Sequence, residues 1–491
     1  SGVHVFKGVP YGAPTAGDRR FLPPSKPAPW TGVRDALDFG PRCPQVQGAL
    51  VPEFMIMDRR EPAGEDCLSL NVWTAGLGDG AKRPVMVWLH GGGFTGGSAA
   101  FDCYDGTNLA ARHGAVVVGV NHRLNIFGYL YLADFGQERY AGAANVGMQD
   151  IVLALEWVRD NIARFGGDPA CVTVFGQSGG GSKVSTLLGM PAAKGLFHRA
   201  IAQSGTQVTS VSRSDAAAGA EALLARLGLR PSELDRLQQM PAARVLALTG
   251  GTPGNGAAGG APLRLSPVVD GRTLPAHVFD PVASPLAADV PLLIGSTETE
   301  QTWNVQTTYE PLDDMELLDR VRRTLRGADE RAAAGVVSVY KRNRPAASNL
   351  DLWLIFSTDA SSFRLGTDLE ADRKAAQGRA AVYKYYFQWY SPVREGKLRA
   401  MHTMDIPFVF DNVGVAHAEV GRGPGQQRLA NRMSAAWVAF ARTGDPNHPG
   451  IPAWPAYVLP DRATMVWNAA CRVVRDPFRE EKAAIAAVTG A

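Results

Sequence analysis

The chain has 491 residues, of which 45% are hydrophobic and 20% are charged, a composition typical of a globular protein with a large buried core. Its 50 Lys and Arg residues nearly balance its 47 Asp and Glu residues, and because the two signs are interspersed we expect no nucleic-acid partner. No apolar run approaches the about 18 to 20 residues that a membrane-spanning helix needs, so no membrane span is expected.

Short apolar runs alternate with a helical pattern in the first half of the chain. The runs 85–89, 116–120 and 172–175 are continuously apolar, as in strands that are buried on both faces. Between the second and third runs, 150–165 carries apolar residues at helical spacing and is followed by Gly166-Gly167-Asp168-Pro169. Strand, helix and strand in this order predict an α/β fold with a mostly parallel central sheet flanked by helices.

The second half of the chain continues the alternation with longer helical segments. No internal repeat or linker divides it, so we expect one domain over 1–491 with helical insertions at roughly 206–285 and 302–380. The glycine-rich run 250–260 has nothing to pack and is predicted to be a mobile connector. Helices are predicted over 216–227 and 313–326, and strands over 291–295 and 382–387.

A serine flanked by glycines follows the predicted strand 172–175. Gly176-Gln177-Ser178-Gly179-Gly180 fits the pattern G-x-S-x-G, and the apolar segment 184–190 after it can form a helix. On a sharp strand-to-helix turn the serine adopts strained backbone angles, and its hydroxyl is exposed above the amino end of the helix. Gly-Ser-Gly also occurs in structural turns, but in this context it predicts that Ser178 is a catalytic nucleophile.

Three consecutive glycines after the strand 85–89 form a second, independent motif, His90-Gly91-Gly92-Gly93-Phe94. Because glycines have no side chains, their main-chain N–H groups can point into a site, as the oxyanion hole of an acyl-transfer enzyme requires. A tight turn is the alternative interpretation. Together with the serine motif, the glycines favour acyl transfer.

These motifs resemble the type-B carboxylesterases, which include cholinesterases and bacterial esterases. The resemblance implies an α/β-hydrolase fold whose helical insertions form a gorge, the hydrolysis of carboxylic esters, and no cofactor. It also implies oxyanion donors at Gly92, Gly93 and Gly179, and a buried hydroxyl behind the site at Ser204. The segments that carry the resemblance are 9–12, Glu65-Asp66-Cys67-Leu68-Ser69-Leu70-Asn71-Val72-Trp73, 165–180 and 433–457.

The general base is sought among the five histidines that follow the serine, because chain order in this fold is serine, acid, histidine. His198, in a segment that looks helical, and His448, in a proline-rich turn, are interpreted as packing or surface residues. His402 precedes Asp405-Ile406-Pro407-Phe408-Val409-Phe410, which resembles the family segment after its catalytic histidine. We therefore predict His402 as the general base, with His417 as the alternative.

The supporting carboxylate is expected just beyond the strand 291–295. Two glutamates, Glu298 and Glu300, lie there. The resemblance favours Glu300, although the glycine that usually follows the acid in the family is Gln301 in this chain. We predict Glu300 as the acid of the catalytic triad, and Glu298 remains its competitor.

The five cysteines form no CxxC pair and no Cys/His cluster with zinc-like spacing, so no structural metal is expected. The resemblance pairs Cys43 with Cys67 in a disulfide, and two reduced core thiols are the alternative. A bridge fits export, so we expect a secreted or periplasmic protein, with a cytoplasmic location as the alternative. Between the two cysteines, 54–57 is apolar and 58–61 is charged, which fits a flap over the gorge or a solvated loop.

Two departures from the cholinesterase pattern bear on the substrate. No tryptophan lies between Cys43 and Cys67 to bind a quaternary ammonium group, and Gln177 stands where cholinesterases carry glutamate. Both departures argue against a choline ester and favour a neutral or carboxylate-bearing small-molecule ester, such as the tricarballylate esters of fumonisins. A lipase, or a catalytically inactive cholinesterase-like binding protein, is the alternative function.

Overall fold

The computed structural model describes residues 2–46, 61–135, 138–249, 262–305 and 311–490. The run 250–260, predicted to be a connector, lies outside the described residues, and so do residues 54–60 of the predicted flap. Among the described residues, no helix is both long and apolar enough to cross a membrane.

Strands and helices alternate along most of the described chain. The strands are β1 His4–Pro10, β2 Ser69–Thr74, β3 Arg83–Leu89, β4 Val116–Val120, β5 Gly167–Gln177, β6 Arg199–Gln203, β7 Val211–Ser212, β8 Val268–Val269, β9 Leu292–Thr297, β10 Val382–Phe387, β11 Ala463–Trp467 and β12 Arg472–Arg475. The α-helices are α1 Thr107–His113, α2 Asn125–Tyr129, α3 Val146–Asn161, α4 Gly179–Leu187, α5 Arg213–Arg226, α6 Leu234–Gln238, α7 Ala242–Ala247, α8 Asp314–Thr324, α9 Glu330–Asn343, α10 Asn349–Asp359, α11 Ser362–Ala376, α12 Ile406–Val409, α13 His417–Val420, α14 Pro424–Thr443 and α15 Arg479–Thr489.

Ten of these strands form one sheet in the order β1-β2-β4-β3-β5-β6-β9-β10-β11-β12. Neighbouring strands are parallel from β4 to β11, and the pairs at the two margins are antiparallel. Parallel neighbours need crossover connections, and helices α1, between β3 and β4, and α4, between β5 and β6, provide two of them. The predicted mostly parallel sheet is confirmed.

The sheet is buried on both faces, as strand β3 illustrates. Val85, Val87 and Leu89 belong to one hydrophobic cluster, whereas Met86 and Trp88 belong to another. Alternate side chains of a strand point to opposite faces, so a sheet with a core on each side needs continuously apolar strands. This requirement explains why the strands were recognisable as unbroken apolar runs.

Most predicted elements are present with shifted ends. Helix α4 begins at Gly179, whereas the predicted helical segment began at 184. The prediction missed the first turn because it contains three glycines, which have low helix propensity. The segment around His198 is not helical, so that prediction is wrong. The His198 N–H donates to the carbonyl of Val172 at 2.8 Å, which continues the parallel pairing of β6 with β5.

The carboxyl ends of the parallel strands gather the predicted site residues at one edge of the sheet. The glycine loop that begins at His90 follows β3, Ser178 follows β5, and Ser204 follows β6. Glu300 lies three residues beyond β9, and His402 follows β10 after a longer connection. Residues distant in sequence are thereby placed in one region.

Candidate active site

Ser178 lies on the sharp turn between strand β5 and helix α4. Its backbone angles, φ 59° and ψ −126°, fall in a strained region for a residue other than glycine. Two main-chain hydrogen bonds fix the turn, from Ser178 N–H to the Gln203 carbonyl (2.8 Å) and from Ser182 N–H to the Ser178 carbonyl (3.0 Å). A Cβ at Gly205 would lie 1.8 Å from the Ser178 carbonyl oxygen, so only glycine permits this approach.

The glycine loop after strand β3 packs directly against this turn. Gly92 and Gly93 have φ values of 90° and 61°, which glycine adopts without strain. A Cβ at Gly179 would lie 2.2 Å from the Gly93 carbonyl oxygen, and one at Gly91 would lie 3.4 Å from Cβ of Ser178. Gly179 is also the first residue of α4, where an N–H group has no acceptor within the helix. The residues of the candidate oxyanion hole are therefore grouped beside Ser178.

His402 and Glu300 are in direct contact. Nδ1 of His402 lies 2.5 Å from Oε2 of Glu300, whose side chain is fully buried. The other carboxylate oxygen of Glu300 accepts a hydrogen bond from Thr297 N–H at 2.7 Å. A carboxylate on Nδ1 favours the imidazole tautomer whose Nε2 can accept a proton. The imidazole packs against the ring of Phe363, with centroids 4.7 Å apart, and is 8% exposed.

The competing carboxylate, Glu298, has a different set of partners. Its Oε1 accepts a hydrogen bond from Nε2 of Gln388 at 2.9 Å, and its main-chain N–H donates to the carbonyl of Phe387 at 2.9 Å. Burial raises the pKa of the Glu298 carboxyl. Of the two glutamates beyond β9, Glu300 is the one that contacts His402.

The sequence of the chain matches a known protein family. Residues 1–485 match the family described as the carboxylesterase family. The chain belongs to the carboxylesterase family. This membership makes it a carboxylic-ester hydrolase, and the predicted resemblance to type-B carboxylesterases is confirmed.

Relatives with named activities are similar to this carboxylesterase over most of their length. It is 35% identical to the para-nitrobenzyl esterase of Bacillus subtilis (strain 168), over 98% of this chain and 94% of that protein. It is 33% identical to the fumonisin B1 esterase of Sphingopyxis macrogoltabida, over 93% of this chain and 82% of that protein. A crystal structure of the Geobacillus stearothermophilus carboxylesterase matches with a TM-score of 0.82 and 42% identity, covering 99% of this chain and 96% of that chain. The predicted α/β-hydrolase fold is thereby confirmed.

Gln177 of this carboxylesterase lies over the imidazole of His402. Its Nε2 is 3.4 Å from both ring nitrogens. Equal distances to Nδ1 and Nε2 place the amide above the face of the ring, because a position in the ring plane would collide with Cε1. Ser178 directly follows Gln177, so the nucleophile turn and the imidazole meet at this side chain. The amide adds no charge beside the imidazole, whereas a carboxylate there would favour the imidazolium.

Asp405 is a buried carboxylate of the site to which the sequence assigned no role. Its Oδ2 accepts hydrogen bonds from Nε2 of Gln203 (3.0 Å) and from the Tyr385 hydroxyl (2.8 Å). Burial raises its pKa to about 6, with a smaller contribution from the charge of Glu300. A carboxylate three residues after His402, within an otherwise apolar segment, was the available sequence signal.

Ser204, the expected buried hydroxyl behind the site, is fully buried and has a φ of 48°. Its main-chain N–H donates to the carbonyl of Gly295 at 2.8 Å. Its hydroxyl, however, has no hydrogen-bond partner in the described part of the chain. The preceding residue, Gln203, connects the two parts of the site instead, because its main-chain carbonyl accepts from Ser178 and its side chain donates to Asp405.

The other histidines considered as bases have partners elsewhere. Exposed His417 begins helix α13, and its Nδ1 lies 3.2 Å from the carbonyl oxygen of Gly414. Nδ1 of His198 accepts a hydrogen bond from the main-chain N–H of strand β5 at 3.2 Å. His448 places Nε2 3.0 Å from the carbonyl oxygen of Arg432. Of these residues and His402, His402 alone contacts Glu300.

Cys43 and Cys67 are neighbouring, buried free thiols. A hydrogen bond with Cys43, and then burial, raise the pKa of the Cys67 thiol. The sulfur of Cys43 also accepts a hydrogen bond from the Leu124 N–H at 3.2 Å. The structure therefore corresponds to the reduced pair, and the disulfide that the resemblance implies stays a prediction. The described His, Cys, Asp and Glu side chains form no group of three or more that could hold a metal ion.

Proposed function

We propose that this carboxylesterase is a serine esterase with Ser178 as nucleophile, His402 as general base and Glu300 as the supporting acid. The observation that carries the proposal is the 2.5 Å contact between His402 Nδ1 and the buried Glu300 carboxylate. In acyl-transfer triads such a carboxylate orients the imidazole and stabilises its cation, while the imidazole takes the proton of the serine.

The reaction has two steps. His402 takes the proton of Ser178 as Oγ attacks the ester carbonyl carbon, and the tetrahedral oxyanion accepts hydrogen bonds from main-chain N–H groups of Gly92, Gly93 and Gly179. The C–O bond to the alcohol then breaks, the imidazolium protonates the departing alcohol, and an acyl-serine remains. Water, deprotonated by His402, attacks the acyl carbon, and the carboxylic acid leaves as the serine regains its proton.

The substrate of this site is a neutral or carboxylate-bearing ester rather than a choline ester. Gln177 supports this inference, because a neutral amide over the imidazole of His402 contributes no negative charge that would attract a quaternary ammonium group. The similarity to the fumonisin B1 esterase of Sphingopyxis macrogoltabida also supports it. Fumonisin-type tricarballylate esters are accordingly the first natural substrates to assay.

The assignment is tested with soluble p-nitrophenyl esters of graded chain length and the variant Ser178→Ala. Loss of the nucleophile should lower kcat by about 10⁴- to 10⁶-fold. Ser182→Ala is the matched control, because this serine lies on the same helix and its hydroxyl donates only to the carbonyl of Thr206. A Ser178→Ala variant with wild-type turnover would contradict the assignment.

The same assay separates the alternative functions. A lipase would become active only above the solubility limit of the ester, and an inactive binding protein would show no turnover that depends on Ser178. The inference on substrate charge is tested by comparing kcat/KM for a neutral ester, a half-ester of a dicarboxylic acid and a choline ester of equal acyl length. A preference for the choline ester would contradict it.

A further inference from the structure

Helix α4 carries a buried lysine five residues after the nucleophile. The side chain of Lys183 is fully buried, and its Nζ donates a hydrogen bond to the main-chain carbonyl of His90 at 3.0 Å. Among the ion pairs of the described residues, none involves Lys183. Burial of an ammonium group lowers the stability of the fold unless a specific interaction offsets the loss of hydration. The hydrogen bond to the His90 carbonyl is the interaction that explains why Lys183 is buried at this position.

Uncharged or weakly basic groups surround this ammonium. The rings of His90 and His122, which follow β3 and β4, are stacked with centroids 4.7 Å apart. Burial first, and then the charges of Lys183 and His90, hold the pKa of His122 well below its usual value. The ring of Phe94 lies 5.8 Å from Nζ, and burial lowers the pKa of Lys183 to about 7.

The carbonyl that Lys183 binds belongs to the loop of the candidate oxyanion hole. It is the carbonyl of His90, and Gly92 and Gly93 follow two and three residues later. The same carbonyl oxygen would lie 3.0 Å from a Cβ at Gly180, so the first turn of α4 packs against it as well. The hydrogen bond therefore joins the helix that begins after Ser178 to the loop opposite it.

We propose that Lys183 is a positioning residue for ester hydrolysis, because its bond to the His90 carbonyl holds the glycine loop against helix α4 with the Gly92 and Gly93 N–H groups beside Ser178. The inference rests on the proposed function, in which these N–H groups stabilise the oxyanion. Donors must be placed accurately where the negative charge develops, and a displacement of about 1 Å can lower the rate by about 100-fold.

The test compares Lys183→Met, which keeps an unbranched apolar chain of about the length of the lysine stem and removes the donor, with Lys374→Met. Lys374 is a matched control, since it is also buried and donates to two main-chain carbonyls, those of Ala287 (2.9 Å) and Ala288 (2.8 Å). It lies on helix α11, and its hydrogen bonds are to Ala287, Ala288 and Gln377 rather than to the glycine loop. Both variants lose a buried donor, but only one loses the link to the oxyanion loop.

We expect Lys183→Met to lower kcat by about 10- to 100-fold with a KM within about twofold of wild type, and Lys374→Met to leave both unchanged. The dissociation constant of a trifluoromethyl ketone, which forms a tetrahedral oxyanion with the serine, should rise by the factor by which kcat/KM falls. Assays are run below the melting temperature of each variant. If Lys183→Met does not fold, Lys183→Gln, whose amide ends one bond short of the lysine Nζ, replaces it.

Three results would overturn the inference: kcat/KM of the Lys183 variant within about twofold of wild type, an equal loss in Lys374→Met, or unchanged binding of the ketone. Ser178→Ala is assayed in parallel. A wild-type enzyme whose turnover does not depend on Ser178 would contradict the proposed function itself, which is a different outcome from a serine-dependent enzyme that is indifferent to Lys183.

Discussion

The nucleophile half of the proposed active site, residues 89–93 and 178–180, is held together mainly by close contacts between main-chain atoms, to which Lys183 adds one side-chain hydrogen bond, whereas the base half is held by side-chain hydrogen bonds. In the first, missing Cβ atoms allow helix α4 to approach the glycine loop. In the second, His402, Glu300 and Asp405 are positioned by buried carboxylate oxygens and their donors. The nucleophile half therefore depends chiefly on the absence of Cβ atoms, and the base half depends chiefly on charge.

This difference implies that the two halves fail in different ways. A substitution that adds volume should damage the nucleophile half, because its contacts leave no room for a methyl group. A substitution that conserves shape but removes charge should damage the base half, because the imidazole needs an anion to stabilise its cation. Each kind of substitution therefore has a matched control, the same change at a residue outside both halves.

Among the substitutions that compare the two halves, Glu300→Gln is expected to have the largest effect, and it would test the base half. The amide keeps the shape of the carboxylate but cannot stabilise the imidazolium, so kcat should fall by about 10³- to 10⁴-fold. Glu298→Gln, the same change two residues earlier, should leave kcat unchanged, because Glu298 binds Gln388. Steady-state kinetics on a soluble p-nitrophenyl ester measures both.

The contrast between the two glutamates fails if their amide variants lose equal activity. A loss confined to Glu298→Gln would reassign the supporting acid. Unfolding curves of both variants show whether a loss of turnover reflects the active site or a loss of folded protein, because two-state unfolding reports stability independently of catalysis.

Gly180→Ala is expected to have an intermediate effect and would test the nucleophile half. A Cβ at this position would lie 1.9 Å from the Leu89 carbonyl oxygen, so helix α4 and the glycine loop must separate. We expect kcat to fall by about 100-fold through misplacement of the reacting groups. Kinetics under conditions in which the variant is folded, checked by circular dichroism, measures the effect.

Gly335→Ala is the control for this substitution. It lies inside helix α9, and apart from the backbone of its own helix a Cβ there would meet no atom of the described residues within 4 Å. Alanine should stabilise the helix by about 0.5 to 1 kcal/mol and leave kcat unchanged. If Gly180→Ala has the kcat of wild type, close packing is not what the nucleophile half depends on.

The same contrast explains how much of the site could be predicted from the sequence. Ser178 and the glycine loop were recognisable because their geometry depends on neighbouring residues in the sequence that have no side chain. The choice between Glu298 and Glu300 was not resolved by local sequence, because the deciding contact is with His402, which follows about 100 residues later. Its place in an apolar segment marked Asp405 as unusual, but nothing in the local sequence indicated its hydrogen bonds to Gln203 and Tyr385.

Fold prediction had a similar limit. The apolar strand β4 and the mostly aromatic strand β10 were predicted with correct bounds, since burial on both faces leaves a simple pattern. The start of α4 was missed because glycine is a poor helix former, yet here close approach to the Leu89 carbonyl requires it. Tertiary contact outweighs local propensity at the turn that carries Ser178.

Asp405→Asn is expected to have the smallest effect, on stability rather than on turnover number. Burial raises the pKa of Asp405 from its ordinary 3.8 to about 6, so between these pH values the folded protein binds more protons than the unfolded chain. Stability contributed by this group is therefore present below about pH 4 and is lost as pH rises to about 6. The difference between the two pKa values corresponds to about 3 kcal/mol.

The variant Asp405→Asn should lack this fall in stability, because the amide keeps an acceptor for Gln203 and Tyr385 but carries no charge. Urea unfolding of wild type and variant between pH 4 and pH 8 measures the free energy of unfolding in each. Glu370→Gln provides a comparison over a wider pH range. Burial raises the pKa of Glu370 to about 8, so the loss of stability that this carboxylate causes should continue up to that pH. The free energy of unfolding of the Asp405 variant could instead change with pH between pH 4 and pH 6 as that of wild type does. In that case the buried charge of Asp405 does not reduce stability, and charge is not what distinguishes the two halves.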